Sequence, residues 1–316
     1  MRRLLPASIA IAAAVTVSAC GSSSHTSAPA TSAPAASGSS STASGGQGGG
    51  STSVTIGSAN FPENEVLADI YADALRKAGV TVTTKLDIGS REVYFKEVEN
   101  GTLSVFPEYN GALLDYLQPN ATASSTAAVA SALASALPSG LQALNPSPAQ
   151  DADSVTVTAA FAAAHHLKSI SDLKPIQSQV TIGAAPEFAN REEGLLGLKK
   201  LYGLTLKFKP LDESGPLTIA ALNDGTIQAG DVYTTDPAVA KYHFVTLADP
   251  LHLFPAQNVT PIVNRKVATP TVVNTLNSVS AALTTSDLVQ LVGAVENDHV
   301  DPGAAASQFV SQLKLG

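Results

Sequence analysis

The stretch SVTIGSANFPENEVLADIYADALRKAG, residues 53–79, holds the pattern that decides the fold. Its first five residues alternate Val and Ile with small or hydroxyl-bearing residues, which is typical of a strand. From residue 64 to residue 78 the apolar side chains recur at helical spacing, so the pattern predicts a helix. Pro62 stands just before this helix, where proline is tolerated, and Gly79 is suited to end it. A strand that leads directly into a helix is the repeating unit of an α/β protein.

The same alternation of short β runs and helical runs continues along the chain. Further strands are predicted at 80–86, 103–106, 154–158, 180–184, 205–208, 228–233, 244–247 and 259–263. Further helices are predicted at 90–100, 111–116, 123–137, 161–166, 192–202, 217–223, 270–284, 286–297 and 302–313. This order indicates an α/β fold with largely parallel sheets. The strands at 154–158 and 259–263 would carry the chain from one lobe to another and back, so two lobes would face a cleft.

The N-terminal residues have the composition of an export signal and a tether. Arg2 and Arg3 precede an uncharged apolar run that is shorter than a membrane-spanning helix, as in a secretory signal. The segment before Cys20, the only cysteine of the chain, resembles a bacterial lipobox, in which the cysteine is lipidated. We therefore interpret residues 1–19 as a lipoprotein signal peptide and residues 20–53 as a Ser/Ala/Gly-rich flexible linker. A secreted protein with a chance cysteine at this place is the alternative.

The rest of the chain is long enough for two lobes. We predict that lobe 1 comprises residues 54–154 and 259–316, and that lobe 2 comprises residues 155–258. Hydrophobic residues make up 44% of the chain and charged residues 14%, a balance that argues against full-length disorder. The net charge of −8, without a cluster of basic residues, disfavours nucleic acid as a partner. We expect a monomer.

Three segments share one layout, in which a strand ends, a polar or aromatic turn follows, and a helix begins. They are residues 57–63, 106–111 and 231–237. Free N–H groups at a helix start favour a polar or anionic ligand group, and a tyrosine adds a face for a cation. The alternative is ordinary helix capping with the aromatic rings in the core. The candidate ligand-binding residues from these segments, with Arg91 from a further helix start, are Asn60, Phe61, Arg91, Tyr109, Asn110, Tyr233 and Thr234.

Several motifs occur together and in order along the chain: IGSANFPE at 56–63, IGSR at 88–91, FPEYNG at 106–111, APEF at 185–188 and DVYTTD at 231–236. From about Val54 to the C-terminus the sequence resembles the osmoprotectant-binding proteins of the ProX/OpuC type. The resemblance implies a two-lobed periplasmic-binding-protein fold, type II-like, with two interlobe crossings and a central ligand cleft. It also implies a solute-binding component of an ABC importer, outside the cytoplasm, whose partners are a small solute, a permease and an ATPase.

The resemblance also implies a site. In the family, four tyrosines surround a quaternary ammonium ligand such as glycine betaine or choline, and an arginine, a lysine and a threonine hold its carboxylate. Tyr109 and Tyr233 match two of these tyrosines, and Arg191 matches the arginine. Asp153 and Gln257 fall at the other two tyrosine positions.

The lysine and threonine of the family pattern are also replaced in this chain, by Ala59 and Ala112. Losing aromatic faces weakens cation–π attraction, and losing the lysine and threonine weakens a carboxylate clamp. We therefore hypothesise that the transport role is kept while the ligand differs, for example a hydroxyl-rich or aromatic solute.

Two other classes of function stay open at this point, a lipid-anchored enzyme such as a hydrolase and a surface adhesion lipoprotein. Ser171 and Lys174 form a Ser-x-x-Lys pattern, but the companion motifs of serine enzymes of that type do not occur in the sequence. Neither a P-loop nor a His-Glu-x-x-His motif occurs. We expect no enzymatic activity, no cofactor and no metal site.

Overall fold

The structure is a computed structural model that describes residues 53–313. The predicted signal peptide and its lipidation site Cys20, together with the predicted linker up to residue 52, lie outside the described residues. In chain order the strands are β1 Ser53–Gly57, β2 Thr81–Lys85, β3 Val105–Tyr109, β4 Leu141–Ala143, β5 Val155–Val157, β6 Thr181–Ala184, β7 Lys207–Pro210, β8 Ala229–Asp231, β9 Val245–Thr246 and β10 Val259–Asn264.

Helices connect these strands and form the C-terminal part of the described chain. They are α1 Pro62–Lys77, α2 Arg91–Asn100, α3 Asn110–Leu117, α4 Thr126–Ala136, α5 Ala159–His165, α6 Leu195–Tyr202, α7 Pro216–Asn223, α8 Ala238–Lys241, α9 Pro270–Ala282, α10 Thr285–Glu296 and α11 Pro302–Gln312. Two 3-10 helices, Ile170–Gln179 and Pro186–Asn190, lie in the second half.

The strands form two five-stranded sheets, in the orders β2-β1-β3-β10-β4 and β7-β6-β8-β5-β9. We use the names lobe 1 and lobe 2 for the parts that carry the first and the second sheet. The chain passes from lobe 1 to lobe 2 between β4 and β5, and it returns between β9 and β10. This is the mixed α/β, two-lobed architecture that the sequence pattern and the family resemblance predict.

The sheets are mixed rather than largely parallel, which corrects the expectation from the sequence. In lobe 1, β10 runs antiparallel to β3 and β4, and in lobe 2, β5 runs antiparallel to β8 and β9. Both β5 and β10 follow a crossing between the lobes. A strand that arrives from the other lobe starts at the strand ends that face that lobe. A strand that follows a crossover helix starts at the opposite ends of the strands. The direction is therefore reversed.

The amphipathic helix α1 organises the core of lobe 1. Leu67, Ile70 and Leu75 are fully buried in one hydrophobic cluster with Ile56 and Phe106 from the sheet. The outer side of this helix packs against α9, α10 and α11, so the C-terminal helices complete lobe 1. Lobe 2 has its own buried clusters, which include Ile182, Leu198 and Phe188.

Two predicted boundaries shift because of contacts that are distant in sequence. β3 continues to Tyr109, beyond the predicted end at residue 106, because β10 pairs with it over that whole length. The helix predicted to begin at residue 192 begins at Leu195 instead. A Cβ at Gly194 would lie 2.0 Å from the carbonyl oxygen of Phe188, so this residue packs tightly on the preceding 3-10 helix before α6 starts. Arg191 therefore precedes the helix and is not part of it.

Short elements escaped the sequence pattern. These are β4, α8 and the two 3-10 helices, which have three to ten residues each. Runs this short carry too few periods of hydrophobic alternation to be recognised. The longer elements all lie within a few residues of their predicted positions.

Between residues 53 and 313 no single helix is long and apolar enough to cross a membrane. The helices α9 and α10 reach the required length and composition only when taken as a pair, and they meet at an angle of 89°.

The helix α4 is held to lobe 1 by two buried side chains, Val129 and Leu133. We expect Leu133→Ala to lower the free energy of unfolding by about 2–5 kcal/mol, because it removes a fully buried leucine side chain. Denaturant unfolding would measure the change. The matched control is Leu217→Ala, at a leucine that is 62% exposed, which should change stability by less than about 0.5 kcal/mol. Equal effects of the two variants would contradict the assignment of α4 to the core.

Candidate functional site

A cavity lies between the two sheets and takes its lining from both lobes. The space between its lining atoms is about 400 Å³, part of which is open to solvent. The lining residues are Ala59, Phe61, Arg91, Tyr94, Tyr109, Ala112, Asp151, Asp153, Arg191, Glu213, Tyr233 and Gln257. Most of them follow the ends of strands or lie at helix starts, where the sequence predicted the ligand cleft.

The turn before α1 is fixed to β3 by the side chain of Asn64. The Ala59 amide donates to its side-chain oxygen at 2.7 Å, and its side-chain nitrogen donates to the Pro107 carbonyl at 2.9 Å. The side chain thus satisfies one backbone donor and one backbone acceptor. The contact holds Phe61, at the start of α1, next to Tyr109, at the end of β3.

Three aromatic rings meet at the cavity. The ring centroid of Phe61 lies 6.0 Å from that of Tyr109 and 5.3 Å from that of Tyr233. Tyr109 belongs to lobe 1 and Tyr233 to lobe 2, so the three rings bridge the cleft. Tyr94 lines the cavity as well, with one face stacked on Phe106 at 4.0 Å. The cavity is therefore more aromatic than the two matching tyrosines suggest.

Arg191 connects the two lobes through ion pairs. Its Nε and Nη2 atoms donate to the two carboxylate oxygens of Glu92, both at 3.0 Å. Glu92 lies on α2 of lobe 1, and the third nitrogen of Arg191 lies 3.4 Å from Glu213 of lobe 2. Burial alone would raise the pKa of Glu92, but the pairing with Arg191 dominates and lowers it to about 2. Both partners of this ion pair, the guanidinium and the carboxylate, are therefore charged.

Arg91 forms a second buried ion pair, within lobe 1. Its Nε and Nη2 atoms each lie 3.1 Å from an oxygen of Glu108, and its Nη1 atom lies 3.9 Å from Glu193 of lobe 2. The hydroxyl of Tyr94 and the amide of Tyr109 also donate to Glu108, at 2.8 Å and 3.0 Å. Three donors thus compensate the burial of this carboxylate.

Glu63 accepts hydrogen bonds from both sides of the cleft and has no cationic partner among residues 53–313. Its carboxylate accepts from the hydroxyl of Tyr109 at 2.7 Å in lobe 1 and from the hydroxyl of Thr235 at 2.6 Å in lobe 2. Burial raises its pKa to about 7 although these two hydrogen bonds lower it, and Asp236 raises it further. Burial also raises the pKa of neighbouring Asp151, with Glu63 as the next cause.

Asp153 and Gln257 join the two segments that cross between the lobes. The side-chain nitrogen of Gln257 donates to Asp153 at 2.9 Å, and both residues are more than nine-tenths buried. The neighbouring Asp231 interacts with Asp153 as well, and its pKa is raised, first by burial and then by the charge of Asp153. One wall of the cavity is therefore built from carboxyl and amide groups.

The structure brings most of the predicted site residues together. Seven of them line the cavity: Phe61, Arg91, Tyr109, Asp153, Arg191, Tyr233 and Gln257. Tyr109, Arg191 and Tyr233, on which the cleft hypothesis depends, are all among them.

Three predicted site residues are not part of the cavity lining. Asn60 is exposed on the turn before α1. Asn110 is fully buried, and its side-chain oxygen accepts from the Asn258 amide at 2.8 Å, which joins α3 to the residue that precedes β10. Thr234 is exposed, and its hydroxyl accepts from the Ala152 amide at 2.9 Å. These positions follow the motif in sequence, but their side chains point to the scaffold or the surface.

Five lining residues were not among the predicted site residues. Two of them, Ala59 and Ala112, stand where the resemblance places the lysine and the threonine, and the other three are Glu213, Asp151 and Tyr94. Glu213 follows the end of β7, so the rule that ligands bind where strands end would have included it. Asp151 precedes Asp153 by two residues in the first crossing segment. Tyr94 lies one turn after the helix start that holds Arg91. Among residues 53–313, no group of three His, Cys, Asp or Glu side chains is arranged to hold a metal ion.

The raised pKa of Glu63 predicts a pH dependence of stability. Between its usual value of 4.5 and about 7, the folded protein keeps a proton that the unfolded chain has released. The contribution of Glu63 to the free energy of unfolding therefore falls as the pH rises through this window. We expect Glu63→Gln to reduce this fall, as measured by denaturant unfolding at about pH 4.5, pH 6 and pH 7.5. The exposed Glu99→Gln is the matched control; the same slope in E63Q and wild type would contradict the prediction.

Comparison with known proteins places this geometry in a family. The family described as the substrate-binding domain of ABC-type glycine betaine transport systems matches residues 52–312. The chain is 27% identical to the glycine betaine-binding protein YehZ of Escherichia coli over 83% of this chain and 91% of that protein. It is 26% identical to a glycine-betaine-binding protein of Pseudomonas aeruginosa over 83% of this chain and 88% of that protein.

Solved structures agree with the fold. A glycine betaine/carnitine/choline ABC transporter structure superimposes with a TM-score of 0.66 at 20% identity, covering 82% of this chain and 98% of that one. The structure of YehZ from Escherichia coli gives a TM-score of 0.59 at 25% identity, covering 83% of this chain and 98% of that one. With a family match over most of its length and the same two-lobed fold, the chain belongs to the substrate-binding domains of ABC-type glycine betaine transport systems.

Proposed function

We propose that this chain captures a small solute in the cavity between its lobes and delivers it unchanged to an ABC permease that a cognate ATPase drives. The observation that carries the proposal is the set of rings from both lobes, Phe61, Tyr109 and Tyr233, at one cavity between the lobes. A solute bound there would touch both lobes at once, so binding and lobe closure would be coupled.

The rings also indicate what kind of group the solute carries. Aromatic faces attract cations, and rings from several directions suit a compact ammonium group. The relatives named above are glycine betaine-binding proteins, and one neighbouring structure is a choline-binding protein in complex with choline, at a TM-score of 0.60 and 14% identity. We propose that the solute of this chain carries a cationic nitrogen, in place of the hydroxyl-rich or aromatic solute hypothesised from the sequence. We propose that its ligand residues are the seven predicted residues that line the cavity.

The setting of the protein is part of the proposal. The apolar run after Arg2 and Arg3, with Cys20 at its end, supports export and a lipid anchor on the outer side of the cell membrane. The Ser/Ala/Gly-rich residues that follow would then act as a tether. We propose that the anchored protein acts as a monomer.

A solute panel tests the proposed function. We expect at least one of glycine betaine, choline and carnitine, or a related amine, to raise the melting temperature of the full chain as its concentration rises, because a ligand that binds only the folded state stabilises it. Isothermal titration should then give one site for each chain. A panel of small cations and zwitterions without any shift would contradict the proposal.

Tyr233→Ala tests the role of the rings. We expect it to weaken binding of the best solute by between about twofold and about thirtyfold, which corresponds to the loss of one cation–π contact. The matched control is Tyr242→Ala, at a tyrosine that is 39% exposed and outside the cavity lining, which should leave the affinity unchanged. Unchanged affinity in Y233A, measured on protein with an intact thermal transition, would exclude the cavity as the binding site.

A further inference from the structure

Both guanidinium groups at the cavity are already neutralised by the protein. Arg191 contacts Glu92 and Glu213, and Arg91 contacts Glu108 and Glu193. The two cations thus face four carboxylates. A carboxylate clamp needs a cation with charge left for the ligand. With these pairings, neither arginine offers one.

Two further carboxyl groups line the cavity and have only uncharged or acidic partners among the described contacts. Asp151 accepts from the amide of Thr235 at 3.1 Å and from the hydroxyl of Thr234 at 3.3 Å. Asp153 accepts from Gln257 and interacts with Asp231. The surroundings of the cavity therefore hold more acidic than basic groups, which attracts a net cation and opposes a ligand carboxylate.

The two positions that depart from the family's aromatic pattern change the chemistry of one wall. Asp153 and Gln257 stand where the resemblance places tyrosines, and they are hydrogen-bonded to each other at the cavity. A tyrosine ring offers a π face, which suits a nitrogen without hydrogens. A carboxylate offers acceptor oxygens, which suit an N–H donor and give a strong charge-assisted hydrogen bond.

We propose, on the basis of the function proposed above, that the cavity selects a small organic cation that has an N–H donor and lacks a carboxylate. The rings of Phe61, Tyr109 and Tyr233 contact the apolar substituents on its nitrogen, and Asp153 accepts its N–H. Zwitterions of the betaine type bind more weakly, because their carboxylate meets arginines that are already paired and a wall of acidic groups.

The protonation of the site supports this assignment. Burial raises the pKa of Asp151, Asp231, Glu193 and Glu213 above their usual values. A bound cation favours the charged form of such carboxyl groups and lowers their pKa. Binding of the cation therefore releases protons, and its affinity rises with pH over the range in which these groups lose their protons.

Four ligands of similar size separate the two requirements. Two of them carry a net positive charge: N,N-dimethylethanolamine, which is protonated at neutral pH and has an N–H, and choline, which has none. The other two are zwitterions: dimethylglycine, which has an N–H, and glycine betaine, which has none. We expect titration calorimetry on the full chain to show the tightest binding for N,N-dimethylethanolamine and the weakest for glycine betaine, by about tenfold or more. The affinity for N,N-dimethylethanolamine should rise with pH.

Asp153→Asn tests the assigned acceptor. We expect it to weaken binding of N,N-dimethylethanolamine by about tenfold and to leave glycine betaine unchanged or improved, since one negative charge is lost. The matched control is the exposed Asp298→Asn, which should change neither affinity. An equal loss for both ligands in D153N would overturn the assigned acceptor.

Other outcomes distinguish this inference from the proposed function. Tightest binding of glycine betaine would overturn the inference and leave the solute-binding role intact. Binding of none of the four, with a thermal shift caused by another solute of the panel, would do the same. If no solute of any class bound, both proposals would fall.

Discussion

The bidentate ion pair between Arg191 and Glu92 fixes how closely the two lobes meet. Its partners lie 99 residues apart in the chain and in different lobes, and both of its hydrogen bonds measure 3.0 Å. A guanidinium that is mostly buried must be paired, because an isolated buried charge is strongly disfavoured. The position of lobe 2 over lobe 1 therefore gives the guanidinium of Arg191 its carboxylate partner, and the rest of the cleft is arranged around this contact. The hydrogen bond from Thr235 to Glu63 is a second contact across the same cleft.

The crossing segments set the geometry at the other side of the cavity. Ala152 and Thr234 exchange hydrogen bonds through the Thr234 amide and hydroxyl, so the first crossing is tied to the loop that holds Tyr233. Gln257 of the second crossing donates to Asp153 of the first. Both segments are thus bound to each other where they pass the ligand cavity. Motion of the lobes around them would move Tyr233 and the acidic wall together, so the site would open and close as a unit.

Elements and site residues that depend on the local sequence pattern are predicted correctly. Boundaries and side-chain contacts that depend on residues distant in sequence are not. The helix α1 and its strand follow from residues 53–79 alone, and the three turns after strand ends identify Phe61, Tyr109 and Tyr233. The end of β3 depends on pairing with β10, which is more than 140 residues away in sequence, so no local pattern could place it. Arg91 and Arg191 were both predicted at the site, but their partners Glu108 and Glu92 were not, because ion pairing depends on tertiary packing within and between the lobes. Asn110 shows the converse case. Its motif contributes Tyr109 to the cavity, but its own side chain is buried away from the cavity and bonds to the Asn258 amide.

These contacts bear on the energetics of binding, because the protein itself supplies much of what holds the cleft closed. The ion pair of Arg191 and the hydrogen bond of Glu63 both join the lobes with protein groups alone. A solute can shift an equilibrium between open and closed forms only by its differential affinity for the two, and its apparent affinity is reduced by the fraction of protein that is not competent to bind. Protein contacts that stabilise the closed form thus reduce the free energy of closure that the solute must supply. A cleft that is already closed, however, slows the entry of the solute.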